Sequence, residues 1–119
     1  MNARPELQLD DRGPIPVAHL SGEVDVSAAA GLRQRLLRAV GNQDTGLVID
    51  LSDARYMDSA GINILFELAE GLRARQLALA VVVPEGGLIE RVFSLVDLGS
   101  VVDVQRDVDA AIDAIRTRA

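Results

Sequence analysis

Hydrophobic and polar positions alternate from the start of the chain. Leu7 and Leu9 are separated by Gln8 and followed by Asp10, the period-two pattern of a short, half-buried strand. Asp11-Arg12-Gly13 has turn chemistry, and Pro14 and Pro16 then hold the backbone extended and remove two hydrogen-bond donors. Ile15, Val17 and Leu20 continue as a second strand, the other arm of a hairpin at a sheet edge, which ends at Ser21-Gly22-Glu23. The period then lengthens. Ser27 is the residue type of an N-cap, and Ala29, Leu32, Leu36 and Val40 form one apolar stripe of a helix that ends near Val40. Arg33, Arg35 and Arg38 lie mostly off that stripe. After Gly41-Asn42-Gln43-Asp44, the run Leu47-Val48-Ile49-Asp50-Leu51 reads as a compact central strand.

A second helix is expected to start at Ser59 or Ala60. Ile62, Leu65, Leu68, Ala69 and Leu72 fall within one arc of it, opposite Asn63, Glu67, Glu70 and Ala74. Leu77 to Val83 is an unbroken apolar run, the pattern of a strand buried on both faces. Pro84-Glu85-Gly86-Gly87 is a turn, and Leu88-Ile89, Val92-Phe93 and Leu95-Val96 give a third helix broken at Gly99. Val101, Val102 and Val104 predict a last short strand, and Asp107 to Arg116 a final helix with Val108, Ala111, Ile112 and Ile115 on one face. Strands that alternate with helices in this way predict an α/β fold: a mixed, mostly parallel sheet with an antiparallel edge hairpin, flanked by about four helices.

Composition narrows the function. At 119 residues, the chain is expected to be a single domain over 1–119 with a substantial core. A net charge of −6 argues against nucleic acid as a partner, because phosphates call for a basic face. It argues equally against an anionic membrane surface. Every basic residue is Arg, which removes a Schiff-base or phosphate-binding lysine. With no Cys, thiol chemistry and Cys-ligated metals are excluded too. The opening residues lack an apolar signal core, and the longest apolar run, Leu77–Val83, is far short of the roughly 20 residues that span a bilayer. A cytoplasmic protein is expected. The single His, His19, falls inside the second strand, where packing is the ordinary role. Gly86-Gly87 lacks the strand–GxGxxG–helix setting of a phosphate loop. Asp25, Asp53 and Asp58 could converge on a hard cation, but acidic loops are more often solvated or capping. The chain therefore reads as a non-enzyme, with no cofactor and no metal.

One segment carries candidate chemistry. In α/β sheets, functional residues gather beyond the carboxyl ends of the strands, at the starts of the following helices. Ser59 stands there, after the Leu47–Leu51 strand. A phosphate at such a position would meet the amides of about Ala60, Gly61 and Ile62 and the positive end of the helix dipole. Taken alone, Asp58-Ser59 is also an ordinary N-cap.

Tyr56-Met57-Asp58-Ser59-Ala60-Gly61-Ile62-Asn63-Ile64-Leu65, after a Val-Ile-Asp-Leu strand, resembles the signature of STAS-domain proteins, in particular the bacterial anti-sigma factor antagonists. Leu20-Ser21-Gly22-Glu23-Val24-Asp25-Val26-Ser27-Ala28 is similar to the family's Gly-Glu-hydrophobic-Asp segment. Leu88 to Leu98 is similar to its third helix, and Asp109-Ala110-Ala111-Ile112 to its last one. The resemblance implies a STAS domain whose partner is an anti-sigma factor with kinase activity. It implies that this kinase phosphorylates Ser59 and that a serine phosphatase reverses the modification. Glu23, Asp25, Asp58, Ser59, Ala60, Gly61, Asn63 and Ile64 are the partner-binding residues it suggests. Ala60 departs from the second hydroxyl residue common in the family and leaves Ser59 as the one hydroxyl of the motif. A protein that is a monomer alone and forms heteromers is expected.

Two functional classes follow. In the first, unmodified Ser59 permits binding to the anti-sigma factor and release of a sigma factor, and phosphorylation blocks it by adding about −1.5 to −2 charges beside Asp25 and Asp58. In the second, the chain is an unswitched STAS adaptor in a signalling scaffold or lipid-transport complex. Ser59 is then a helix cap, and Ile64 and Phe66 are contact surface, although ordinary core packing is the commoner role for both.

Overall fold

The computed structural model describes residues 6–11, 13, 15–25, 29–41, 43–96 and 102–117. Among these residues, five strands form one sheet in chain order: β1 (Glu6–Asp10), β2 (Val17–Val24), β3 (Gly46–Met57), β4 (Ala78–Val82) and β5 (Asp103–Gln105). Among the described residues, four helices connect or follow them: α1 (Ala29–Arg38), α2 (Ser59–Ala74), α3 (Leu88–Val96) and α4 (Val108–Arg116). β1 pairs antiparallel with β2, Leu7 opposite Leu20, as the edge hairpin requires. The other three pairings are parallel, so each needs a crossover long enough to hold a helix.

Alternation along the strands divides the apolar residues between two cores. Ala18, Leu20, Leu47, Ile49, Leu51, Leu79 and Val81 point to one side and pack with Leu32, Leu36 and Val40 of α1, the buried stripe of α2, and Ile89 and Phe93 of α3. Their neighbours Val17, Val48, Ala80 and Val82 point to the other side and pack with Ala111 and Ile115 of α4. β4 is buried on both faces, as its unbroken apolar run implies. Gly46 lets this layer close: a Cβ there would lie 2.5 Å from the Ala78 carbonyl and 2.9 Å from Ile115. No helix among the described residues is long and apolar enough to cross a membrane.

The structure revises several boundaries. β2 does not stop at Ser21-Gly22-Glu23 but runs on to Val24, with Gly22 at φ 86°, a conformation that costs a glycine nothing. β3 is 12 residues long, and the segment Ser52 to Met57, which reads as a loop, belongs to the strand. It is held by pairing with β2 rather than by its own periodicity: Ser21 partners Asp53 and Val24 partners Met57. Two register shifts give β3 extra residues against β2 in this stretch. Because β4 pairs only with Gly46–Asp50, the outer part of β3 continues with β2 as a ribbon. β5 is shorter than expected, beginning at Asp103. Ser27, Gly99 and Val101 lie outside the described residues, as do Arg12 and Pro14.

Candidate functional site

The β2–β3 ribbon and the start of α2 meet at one end of the sheet. The Asp58 amide donates to the Val24 carbonyl at 3.2 Å, which ties the end of β3 to the end of β2. Asp58, with extended backbone angles, then caps α2. Its carboxylate accepts from the Gly61 amide at 3.1 Å, and its carbonyl accepts from the Ile62 amide at 3.0 Å. The N-cap is thus Asp58, and Ser59 is the first residue of the helix, exposed to solvent. After the Asp58 cap, the first turn of α2 contains no further acidic residue.

Gly61 sets how closely the helix approaches the ribbon. A Cβ at this position would lie 2.6 Å from the Met57 side chain, 2.9 Å from the Val24 carbonyl and 3.1 Å from the Val24 side chain. The absence of a side chain therefore seats α2 directly on the ends of both strands. It also revises the expected phosphate cradle, because the amides of Gly61 and Ile62 are already engaged by Asp58.

Of the expected contact residues, Glu23, Asp25 and Asp58 are half-buried at this end of the sheet, Ala60 is half-buried, and Ser59 and Asn63 are exposed. Gly61 is buried against the strands, where it shapes the site rather than offering surface. The assignment of Ile64 to a contact surface is corrected. Its side chain is only 4% exposed, because the apolar arc of α2 is wide enough to draw it into the main core. Phe66 packs partly buried against the same core.

Two features escaped the local reading. Tyr56, beside Glu23 in the strand register, is 44% exposed. It precedes Met57, which is buried in the main core, so its ring projects from the opposite side of the ribbon. Below it on the same side, His19 Nδ1 lies 2.8 Å from Asp50 Oδ2, and both the hydroxyl and the amide of Ser52 donate to Asp50 Oδ1, at 2.6 and 3.0 Å. Burial pushes the Asp50 carboxyl up, but these hydrogen bonds from Ser52 and His19 outweigh it and hold the pKa below its usual 3.8. Both features depend on which residues neighbouring strands bring opposite each other, and local spacing does not show that.

Residues 6–111 match the family model of the STAS domain. The chain is 32% identical over 88 residues to the anti-sigma-F factor antagonist RsfB of Mycobacterium tuberculosis, covering 74% of this chain and 70% of that one. It is 29% identical over 104 residues to an anti-sigma-B factor antagonist of Listeria monocytogenes, covering 87% of each. The crystal structure of an anti-sigma factor antagonist from Mycobacterium paratuberculosis superposes with a TM-score of 0.85 at 27% identity, over 98% of this chain and 99% of that one.

Proposed function

The chain belongs to the STAS-domain family, and on that premise we propose that it is an anti-sigma factor antagonist switched by phosphorylation of Ser59. Its relatives named as antagonists of anti-sigma factors support the class of partner. The observation that carries the switch is the position of Ser59: an exposed hydroxyl at the first turn of α2, directly after a cap that the hydroxyl is not needed to make.

The unmodified protein binds the anti-sigma factor through the end of the sheet where Glu23, Asp25, Asp58, Ser59 and Asn63 gather, and so frees a sigma factor. The anti-sigma factor is also the kinase. Phosphorylation at Ser59 adds about −1.5 to −2 charges at the start of α2. The fold tolerates this, since the charge falls on an exposed position at the positive end of α2, whose first turn after the Asp58 cap carries no acidic residue. The interface does not: the phosphate on exposed Ser59 must lose its hydration beside Asp58, where the partner closes on a bare hydroxyl. A loss of ~3 kcal/mol exceeds a hundredfold in affinity. Turning binding off requires no rearrangement of the domain, and a serine phosphatase restores it.

Phosphotransfer tests the proposal. Each anti-sigma factor kinase of the host is incubated with the purified protein and ATP, and the modified residue is mapped by mass spectrometry. One kinase is expected to modify Ser59 and to leave the Ser59→Ala protein unmodified. Failure of every kinase to label Ser59 would overturn the switch and leave the unswitched adaptor.

A further inference from the structure

We infer that Tyr56 is the apolar anchor of the partner interface and that the anti-sigma factor meets it with an apolar pocket rimmed by basic side chains. This rests on the functional reading above and extends it from the start of α2 onto the β2–β3 ribbon.

The inference begins with a residue that the fold does not explain. Tyr56 is the only tyrosine in the chain, and its ring belongs to neither core. Among the described residues the exposed large hydrophobics are Tyr56, Leu9 and Leu88. Leu9 lies on the edge strand opposite Ala18, near the start of β2 and thus at the other end of the sheet from Ser59. Tyr56 lies three residues before Ser59, on a backbone held by pairing with Glu23 and followed by the Val24–Met57 pair. An aromatic fixed on a strand loses little conformational freedom when it is covered, which suits it to anchor an interface. Tyrosine is among the residues that most often dominate binding energy, because it combines a large apolar body with a polar tip.

The surroundings define the partner's chemistry. Glu23 stands beside Tyr56 in register, and Asp53 and Arg55 are exposed on the same ribbon. Asp25 and Asp58 follow at the ends of the two strands. Carboxylates outnumber the one guanidinium at this end of the ribbon, and the complementary surface is an apolar recess bordered by Arg or Lys. The ribbon's length accords with this role. Beyond Asp50, β3 loses β4 as a neighbour, yet both strands run on to present Glu23 and Tyr56.

The probe is the purified anti-sigma factor that labels Ser59 in the phosphotransfer assay. It is titrated calorimetrically with the wild-type protein and with Tyr56→Ala, Tyr56→Phe and Leu9→Ala. Tyr56→Ala is expected to weaken binding about 30-fold, while Tyr56→Phe stays within about threefold and Leu9→Ala within about twofold. If Tyr56→Ala lowers the thermal midpoint, Tyr56→Gln, closer in size, is expected to show the same loss of binding at the wild-type midpoint. Binding of folded Tyr56→Ala or Tyr56→Gln within about threefold of wild type would overturn the anchor while leaving the Ser59 switch standing. Failure of the wild type itself to bind would overturn the functional reading and this inference with it.

Discussion

The Asp58 carboxylate reaches the Gly61 amide at 3.1 Å, and that bond leaves Ser59 as an exposed hydroxyl on a capped helix rather than as the cap itself. Capping and modification thus fall on adjacent residues. Asp58→Ala is expected to lower the unfolding free energy by about 1 kcal/mol in urea denaturation, and Asp58→Asn to retain most of it. Ser59→Ala is expected to leave stability within ~0.5 kcal/mol of wild type. A larger loss from Ser59→Ala than from Asp58→Ala would reverse the assignment of the cap.

Gly61 should be intolerant of even one added methyl. With Cβ approaches of 2.6 Å to Met57 and 2.9 Å to the Val24 carbonyl, Gly61→Ala must push α2 away from the ribbon. A loss of about 1–3 kcal/mol is expected, together with slower phosphorylation of Ser59, because the helix start shifts with it. Unchanged melting and labelling would show that the helix is not held by this contact.

The other end of α2 contains a strained residue. Gln76 has φ 62° and sits where the chain leaves the helix, with its amide donating to the Arg73 carbonyl and the Leu77 amide to the Leu72 carbonyl. That pair of bonds favours glycine at this position. Gln76→Gly should therefore stabilise the protein by about 1 kcal/mol and raise the melting midpoint by roughly 4 °C, without altering partner binding.

Stability should also depend on pH through Asp50. Its pKa is held below 3.8 in the folded state, so the unfolded chain binds the proton more readily. The stabilisation is fully present above the unfolded value and is lost as pH falls through the folded value. Asp50→Asn is expected to flatten the acid limb of a stability–pH profile below about pH 4. An unchanged slope in the variant would assign the acid sensitivity to other carboxylates.

Much of the fold was legible because burial imposes a period. The stripe Ile62, Leu65, Leu68, Ala69 and Leu72 is buried as its spacing implies, and the run Leu77–Val83 becomes the doubly covered β4 with its flanking residues. Periodicity failed where pairing, not burial, holds the chain. Ser52 to Tyr56 shows no alternation, since register shifts against β2 and solvent on one side relax the demand for it. Gly22 looked like a strand end, because its positive φ, which marks turns elsewhere, is here accommodated within the strand. At the site, the residue types of Asp58, Ser59 and Gly61 already pointed to a helix start. The division of roles among them, and the place of Tyr56 beside Glu23, required the geometry.

The most direct measurement is the affinity of the anti-sigma factor for three forms of the protein: unmodified, Ser59→Asp and phosphorylated at Ser59. The expected result is tight binding of the unmodified form, a loss of about a hundredfold on phosphorylation and a smaller loss in the same direction for Ser59→Asp, all with unchanged folding. Equal affinity for all three forms would contradict a switch at Ser59.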